Sequence, residues 1–380
     1  MSAVIVGVAE SDLGIVGPDR TELALQAQAA RRALAEAGLT LADVDGLATA
    51  SVEMNAPVLR VAEYLGVRPT YLDSTNVGGA SFVSHVGHAA LAIEAGLCEV
   101  VLITYGSTQR SQRSRVYGQA GAVRYEEQYE QIWGLPMPVG AYALAASRHM
   151  GLYGTTAGQL AEVAVAARQW AALNPVAFSR DPLSIEDVLA SPMVCSPLHV
   201  RDCCLVTDGG GALVMTSAER AADLPGLPVD VLGFGEASTH YRIMSMPDLS
   251  SIPAAISAPA ALARAGLSVS DIDVFELYDS FTITVLLTLE AIGLCAAGEG
   301  GAFVAGGRLA PGGDLAVNTS GGGLSYCHPG MFGIFTVIEA VRQLRGECGE
   351  RQVTGARTAL AHGTGGTLSS GATVVLGRQG

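Results

Sequence analysis

The chain contains no lysine, so all 22 of its basic residues are arginine. Schiff-base chemistry, which needs a lysine amine, is therefore excluded outright. Charge is sparse at 15% of residues and its balance is acidic, with a net charge of −14. That balance argues against nucleic acid as a partner, and an anionic substrate must be met by local arginines. The seven cysteines are scattered, odd in number and without a CxxC pair. This pattern argues against a disulfide framework and a structural zinc, and fits a reducing cytoplasm. No run of about 18 apolar residues goes uninterrupted, so no membrane span is expected. The opening, MSAVIVGVAESDLG, has no basic leader region and reads as a first strand.

What is present is apolar. Hydrophobic residues make up 49% of 380, enough for two ordinary domains or for one large α/β unit of two halves. Residues 3–8 (AVIVGV) read as a buried strand, and Glu22 to Gly38 reads as a helix by alanine content and 3.6-residue apolar spacing. An internal repeat follows. AGLTLADVDGLATAS (Ala37 to Ser51) returns as AGLSVSDIDVFELYDS (Ala265 to Ser280), sharing the Ala-Gly-Leu turn and an Asp-x-Asp that leads into a strand. Asn-Val-Gly-Gly at 76–79 and the glycine turn after Asn318 each pass from a strand end into a helix. DCCLVTDGGGALVMT (Asp202 to Thr216) pairs with AHGTGGTLSSGATVVLG (Ala361 to Gly377) as the closing strands. The offset between copies falls from roughly 240 residues at the glycine turns to roughly 160 at the closing strands. About 80 extra residues therefore lie in the first half, between about Ser107 and Val200, a stretch rich in Arg, Tyr, Pro and Gln. It reads as an inserted loop subdomain of the kind that covers active sites. The expected halves are 1–222, carrying this insertion at about 107–200, and 223–380, with mixed sheets faced by helices.

The stretch from Asn318 to Gly333 (NTSGGGLSYCHPGMFG) packs three glycines, a tyrosine, a cysteine and a histidine into one turn before an apolar helix pattern. Glycines let a backbone approach a ligand closely, and Tyr326 and His328 carry groups able to move protons. The duplicated order, CHPGMFG and CCLVTDGGGALVM together resemble the thiolase superfamily over essentially the whole chain. ELYDSFTITVLLTLEAIGLC, GEGG and NTSGGGLSYCHPG are most similar to the sterol carrier protein-X and lipid-transfer-protein branch, and there to thiolase-like aldolases of bacterial steroid side-chain degradation. The resemblance implies an α/β, five-layered αβαβα fold built from two pseudo-repeated halves.

Against that family the sequence departs at the nucleophile. A thiolase carries its cysteine at the N-terminus of the first half's buried helix. Counting back from Ile93, the matching position is Gly79, and Ser81 reads as a helix cap instead. The Asn-Glu-Ala-Phe motif of thiolases becomes Tyr278-Asp279-Ser280-Phe281, and the last glycine loop offers His362 to Gly365 without a cysteine. Retained are His328, implied as a thioester oxyanion donor, and the glycine turns at Gly79, Gly322, Gly323 and Gly365. An oxyanion site with proton carriers but no nucleophile suits retro-aldol cleavage of a β-hydroxyacyl-CoA, the thioester enolate being held until protonated. Tyr278 and Tyr326 are the expected base and acid, in either order, given one phenol lowered from about 10. Asp279 either orients a tyrosine or caps the helix after it, and His362 stands beside them. Cys327 reads as small filler, and His85 with His88, at i and i+3, lacks the partners of a metal site. Arg110, Arg113 and Arg115 are the candidates for coenzyme A phosphates.

The resemblance implies coenzyme A only as part of the substrate, with no other cofactor and no metal. It further implies a homodimer and a small OB-fold, zinc-ribbon partner completing a heterotetramer, without which the isolated chain is inactive or unstable. Two alternatives stay open at this point. One is a thiolase or acetyltransferase acting on a branched or aromatic 3-oxoacyl-CoA through an unusual nucleophile such as Cys327. The other is a non-catalytic acyl-CoA or lipid-binding subunit.

Overall fold

The computed structural model describes residues 2–113 and 130–378. The first half begins with β1 (Ala3–Glu10), which is buried on both faces, and α1 (Glu22–Glu36), whose buried stripe runs from Leu25 to Leu34. There follow β2 (Gly46–Ala48), α2 (Pro57–Leu65), β3 (Tyr71–Asp73), α3 (Ser81–Glu94) and β4 (Val100–Ser107). The insertion then supplies α4 (Val139–Tyr153), α5 (Ala157–Ala172), α6 (Ile185–Ala190) and a small hairpin of β5 (Met193–Cys195) and β6 (Leu198–His199). Strand β7 (Gly209–Ser217) closes the half. The second half runs β8 (Val229–Ser238), α7 (Ala254–Ala265), β9 (Val274–Leu277), α8 (Thr282–Ala291), β10 (Ala316–Val317), α9 (Gly333–Arg345), β11 (Thr358–Gly365) and β12 (Ser370–Gly377).

The repeat is a repeat of topology. The first half orders its strands β3-β2-β4-β7-β1 and the second β10-β9-β11-β12-β8, the same sequence of first-to-fifth elements in each. In both, the outer three strands are parallel and the inner pairings antiparallel. The halves join where β1 meets β8 over two residue pairs. The Asp-x-Asp motif explains why the copies fold alike. Asp45 accepts the backbone N–H groups of Glu99 and Val100, and Asp273 accepts those of Arg357 and Thr358. Each aspartate thus pins the start of the fourth strand of its own half. Thr40–Asp43 and Ser268–Asp271 form matching capping boxes one turn earlier.

Helices α3 and α9 pack against each other and against strands of both halves, so they form a central layer. Helix α1 covers β1, β4 and β7 on one outer face, and α7 covers β8 and β12 on the other. That is the expected five-layered arrangement. The insertion is largely helical. Its alanine-rich segments VGAYALAASRHMGLY and AGQLAEVAVAARQWAA form α4 and α5, and the latter starts in a Thr156–Gln159 capping box. Both pack on α8, sharing one apolar cluster with α7 and α8, so the insertion lies over the second half. Among the described residues no helix is long and apolar enough to cross a membrane.

His88 ties the halves together at the central layer. Its Nδ1 lies 2.7 Å from Asp73 and its Nε2 lies 3.2 Å from Glu236 on β8. The Asp73 bond, helped by Glu236 and opposed by partial burial, raises this imidazole from 6.5 to about 9. A raised folded value means the bridge stabilises fully below the unfolded value near 6.5 and loses its contribution as pH climbs through 9. His88→Gln should therefore lower the urea midpoint at pH 6 and converge on the parent near pH 10. Parallel curves across that range would refute the bridge. His85, three residues earlier, bonds the Thr75 carbonyl at 3.1 Å and stays neutral, burial lowering it to about 4.

Candidate active site

Strand β9 ends at Leu277, and the next residue carries the site. Tyr278 donates its backbone N–H to the His362 carbonyl at 3.0 Å, extending the pairing of β9 with β11. Its ring enters the space beside Gly79. A Cβ placed at position 79 would lie 1.9 Å from Tyr278 Cε1 and 2.7 Å from the Thr364 carbonyl oxygen. The phenol therefore fills the volume that a side chain at the nucleophile position needs. Gly365 is equally required, because a Cβ there would lie 1.6 Å from the Val77 carbonyl oxygen. Ser81 does not cap α3. Its hydroxyl accepts from Val77 N–H and donates to the Gly78 carbonyl, closing the glycine turn.

Tyr278 Oη lies 2.8 Å from His328 Nε2. The imidazole is held by its backbone N–H to Thr207 Oγ1 at 3.0 Å and by stacking on Phe332. Burial lowers it to about 4, so it is neutral across the physiological range and able to accept from the phenol. The bond to Tyr278 occupies Nε2, so in this arrangement that nitrogen meets the phenol and not the open cleft.

Asp279 neither caps α8, which starts after Phe281 with no side-chain cap, nor touches the phenol's hydroxyl. Its two oxygens accept the N–H groups of Gly323 (2.6 Å) and Leu324 (3.1 Å). Burial pushes this carboxyl up to about 7, against the pull of those two amides. Gly322 makes the contact possible: it sits at φ 60°, and a Cβ there would lie 2.2 Å from Asp279 Oδ2. Asp279 therefore clamps the glycine turn that leads to His328.

The cleft above Tyr278 is lined by Gly78, Gly79, Gly330, Met331, Thr364 and Gly366, with Val52, Glu53, Tyr105, Gln109 and Tyr142. None of these is a cysteine. Four polar side chains among them lie outside every motif singled out from sequence: Glu53, Tyr105, Gln109 and Tyr142. Tyr105 lies near the end of the buried strand β4, where it donates to the Pro329 carbonyl and accepts from Met331 N–H. Tyr142 comes from α4, stacks on Phe281 at 4.3 Å and donates to the Gly366 carbonyl. Glu53 and Gln109 sit in loops with no local signal. Only the general expectation that the insertion covers the site pointed toward Tyr142.

Two expected site residues, and the nucleophile named for the thiolase alternative, lie elsewhere. Tyr326 borders neither this cleft nor the larger one that Gln109 also lines. Its hydroxyl donates to Glu10 Oε1 at 2.6 Å, and Glu10 is paired with Arg342. Burial, with the Glu10 charge beside it, holds this phenol well above its ordinary value, and its proton is directed to Glu10 and not to the cleft. Tyr326→Phe removes one donor from a buried carboxylate and should cost about 2 kcal/mol of stability by chemical denaturation. Its activity loss should be far smaller than that of the Tyr278 variant described below. His362 turns its ring to Thr373 Oγ1 at 2.8 Å on the neighbouring strand, and only its carbonyl serves Tyr278. Cys327 is fully buried, and burial pushes its thiol well above the ordinary range, the opposite of an activated nucleophile.

Arg110 and Arg113 line a second, larger cleft of about 740 Å³, which Gln109 also borders. Cys203 and Cys204 lie on its wall rather than in the core. Arg115 lies outside the described residues.

Residues 235–378 match the family described as Thiolase C-terminal domain-like. Over 359 residues the chain is 37% identical to 17-hydroxy-3-oxo-4-pregnene-20-carboxyl-CoA lyase of Mycobacterium tuberculosis, covering 90% of this chain and 92% of that one. It is 36% identical to a steroid side-chain-cleaving aldolase of Thermomonospora curvata, covering 91% and 90%. The solved structure of an Ltp2-ChsH2(DUF35) aldolase superposes with a TM-score of 0.90 at 34% identity, over 99% of this chain and 98% of that one.

Proposed function

The chain belongs to the thiolase superfamily, alongside its steroid side-chain-cleaving aldolases, and from that membership we propose that it is a carbon–carbon lyase. Its substrate is a bulky β-hydroxyacyl-CoA of the steroid side-chain type, cleaved by a retro-aldol step to a ketone and a shorter acyl-CoA. The observation that carries this reading is the Tyr278 ring in the volume beside Gly79, with its hydroxyl on a neutral imidazole.

In the proposed step the β-hydroxyl gives its proton to Tyr278 Oη while the phenol passes its own to His328 Nε2. The Cα–Cβ bond breaks, the carbinol carbon leaves as a ketone, and the electron pair moves into the thioester as an enolate. A charged imidazolium is disfavoured at this buried position, but the enolate forming beside it supplies the opposite charge. The same low basicity makes the imidazolium a strong acid, and the proton returns through Tyr278 to Cα. Backbone N–H groups of the glycine turns around 78–79 and 365–366 hold the enolate oxygen.

The same reading takes in the assembly. The free edge of β3, where Leu72 is exposed, suits pairing with a second copy. A small OB-fold, zinc-ribbon partner completes the substrate site, in keeping with the two-component name of the similar solved structure.

Incubating the chain and its partner with a 17-hydroxy steroid side-chain CoA should release ketone and shorter acyl-CoA in equal amounts, with no acyl-enzyme by intact mass. An acyl adduct on a cysteine would favour the thiolase alternative. Binding without product would favour the non-catalytic one.

A further inference from the structure

Two carboxylates that the proposed step does not use lie buried behind the site. Glu276 stands on β9 just before Tyr278, and Glu339 lies on α9, the helix that follows the His328 turn. Thr319 sits between them, near the start of that turn. Its Oγ1 lies 2.8 Å from Glu276 Oε1, 2.8 Å from Glu339 Oε1 and 2.9 Å from Gln343 Nε2.

A hydroxyl has one proton to give and two lone pairs to accept with. Gln343 takes up one lone pair, because the orientation of its amide is settled elsewhere. Its Oε1 accepts the Val353 N–H at 2.9 Å, and its Nε2 faces the Arg351 carbonyl at 2.9 Å. The hydroxyl proton of Thr319 then serves one carboxylate. The other carboxyl must bring a proton of its own to the remaining lone pair.

The partners decide which carboxyl carries it. Arg351 grips both oxygens of Glu339, at 2.8 and 3.0 Å, the geometry of a charged pair. Glu276 is 1% exposed and forms no ion pair among the described residues. Burial, with the Glu339 charge beside it, holds its carboxyl well above the usual range. The remaining groups nearby do not offset an ionised Glu276. Cys348, whose thiol burial pushes up, lies 3.7 Å from Glu339 Oε1, Arg342 is engaged by Glu10, and Asp279 beyond the strand end adds acidity.

One further contact points the same way. Glu276 Oε1 accepts the Thr319 backbone N–H at 3.0 Å as well as meeting Oγ1. An oxygen that accepts from one group and donates to the other belongs to a carboxylic acid. A carboxylate cannot give, and an amide nitrogen cannot take.

We infer that Glu276 is a positioning residue kept as a neutral acid in the fold, its trapped proton tying the strand that presents Tyr278, through Thr319, to the turn that presents His328 and to α9. The 2.8 Å contact between Tyr278 Oη and His328 Nε2 depends on the spacing of the segments so joined. The positioning role rests on the lyase reading; the trapped proton does not.

Infrared difference spectra of the parent against Glu276→Gln, taken at about pH 8, test the proton directly. The parent should show the carbonyl stretch of a neutral carboxylic acid, and a carboxylate band in its place would overturn the inference. Thr319→Val, which removes the hydroxyl and keeps both carboxyls, covers the case in which the amide variant does not fold. There the acid band should shift, and an unmoved band would count against the inference. Urea denaturation gives a second reading. An acid raised in the fold contributes stability below its unfolded value of about 4.5 and loses it as pH climbs toward the folded value. Between about pH 6 and 8 the parent's folding constant should therefore fall about tenfold per pH unit relative to the Glu276→Gln variant's. Parallel curves would overturn the proton assignment. In turnover with a 17-hydroxy steroid side-chain CoA, Glu276→Gln should lower kcat about tenfold and hold KM within about threefold, because the amide cannot make both contacts. An unchanged kcat would refute the positioning role. A parent that shows the acid band and the pH slope but cleaves nothing would sink the lyase reading and leave the trapped proton standing.

Discussion

Tyr278→Phe is expected to lower kcat by about 10²–10⁴-fold while the protein stays folded. The ring stays beside Gly79, so packing is kept, and only the hydroxyl that meets His328 Nε2 is lost. Leaving that buried nitrogen without a partner should cost about 1–3 kcal/mol, which a denaturation curve will read separately from turnover. The pH profile gives an independent check. An imidazole at its ordinary value would impose an acid limb near 6.5, but His328 lies at about 4. Because its acceptor form is lost only below that value, kcat should stay flat from pH 8 down to about 5 and fall below about 4. A limb centred near 6.5, or near-normal turnover in the phenylalanine variant, would remove Tyr278 and His328 from the chemistry.

Restoring a cysteine at position 79 is expected to destroy the protein's activity, not to create a thiolase. The new Cβ would sit 1.9 Å from a Tyr278 ring carbon and 2.7 Å from the Thr364 carbonyl oxygen. Neither contact is tolerable, and the ring has Gly330, Met331 and Phe332 around it. Overpacking of this kind costs about 1–3 kcal/mol at ordinary sites, and here it displaces the catalytic phenol as well. Gly79→Cys combined with Tyr278→Gly should recover part of the lost stability, because the first clash disappears and the carbonyl contact does not. A double-mutant cycle should give a coupling above about 1 kcal/mol. Strict additivity would mean that the two side chains do not compete for the same space.

The sequence was most readable where the constraint is local or repeated. The second aspartate of Asp-x-Asp does the same job in both halves, so Asp45 and Asp273 marked the duplication correctly. Gly79 and Gly365 were singled out through the family resemblance, and each lies against another segment's backbone in the fold. Side-chain direction was less accessible. His362 lies on a strand, where successive side chains alternate between faces, and the pleat directs its ring to Thr373. Tyr326 sits in a five-residue π-helical turn (Gly322–Tyr326), whose wider winding carries its hydroxyl to Glu10, 316 positions away. No short window contains that partner. Arg168 and Arg201, which line the larger cleft beside Arg110 and Arg113, were missed for a similar reason, because α5 and the segment after β6 meet only in the folded chain. The helices of the insertion went unread because the tyrosines, prolines and glutamines at its start drew attention from two alanine-rich stretches.

Mutual exclusion at position 79 also constrains how such a lyase arises from an acyl-transferring ancestor. A side chain at position 79 and the Tyr278 ring compete for one volume, so a single chain with this backbone does not hold a thiol and the phenol there together. A route between the two chemistries then runs through small residues at both sites, a form expected to hold thioesters without altering them.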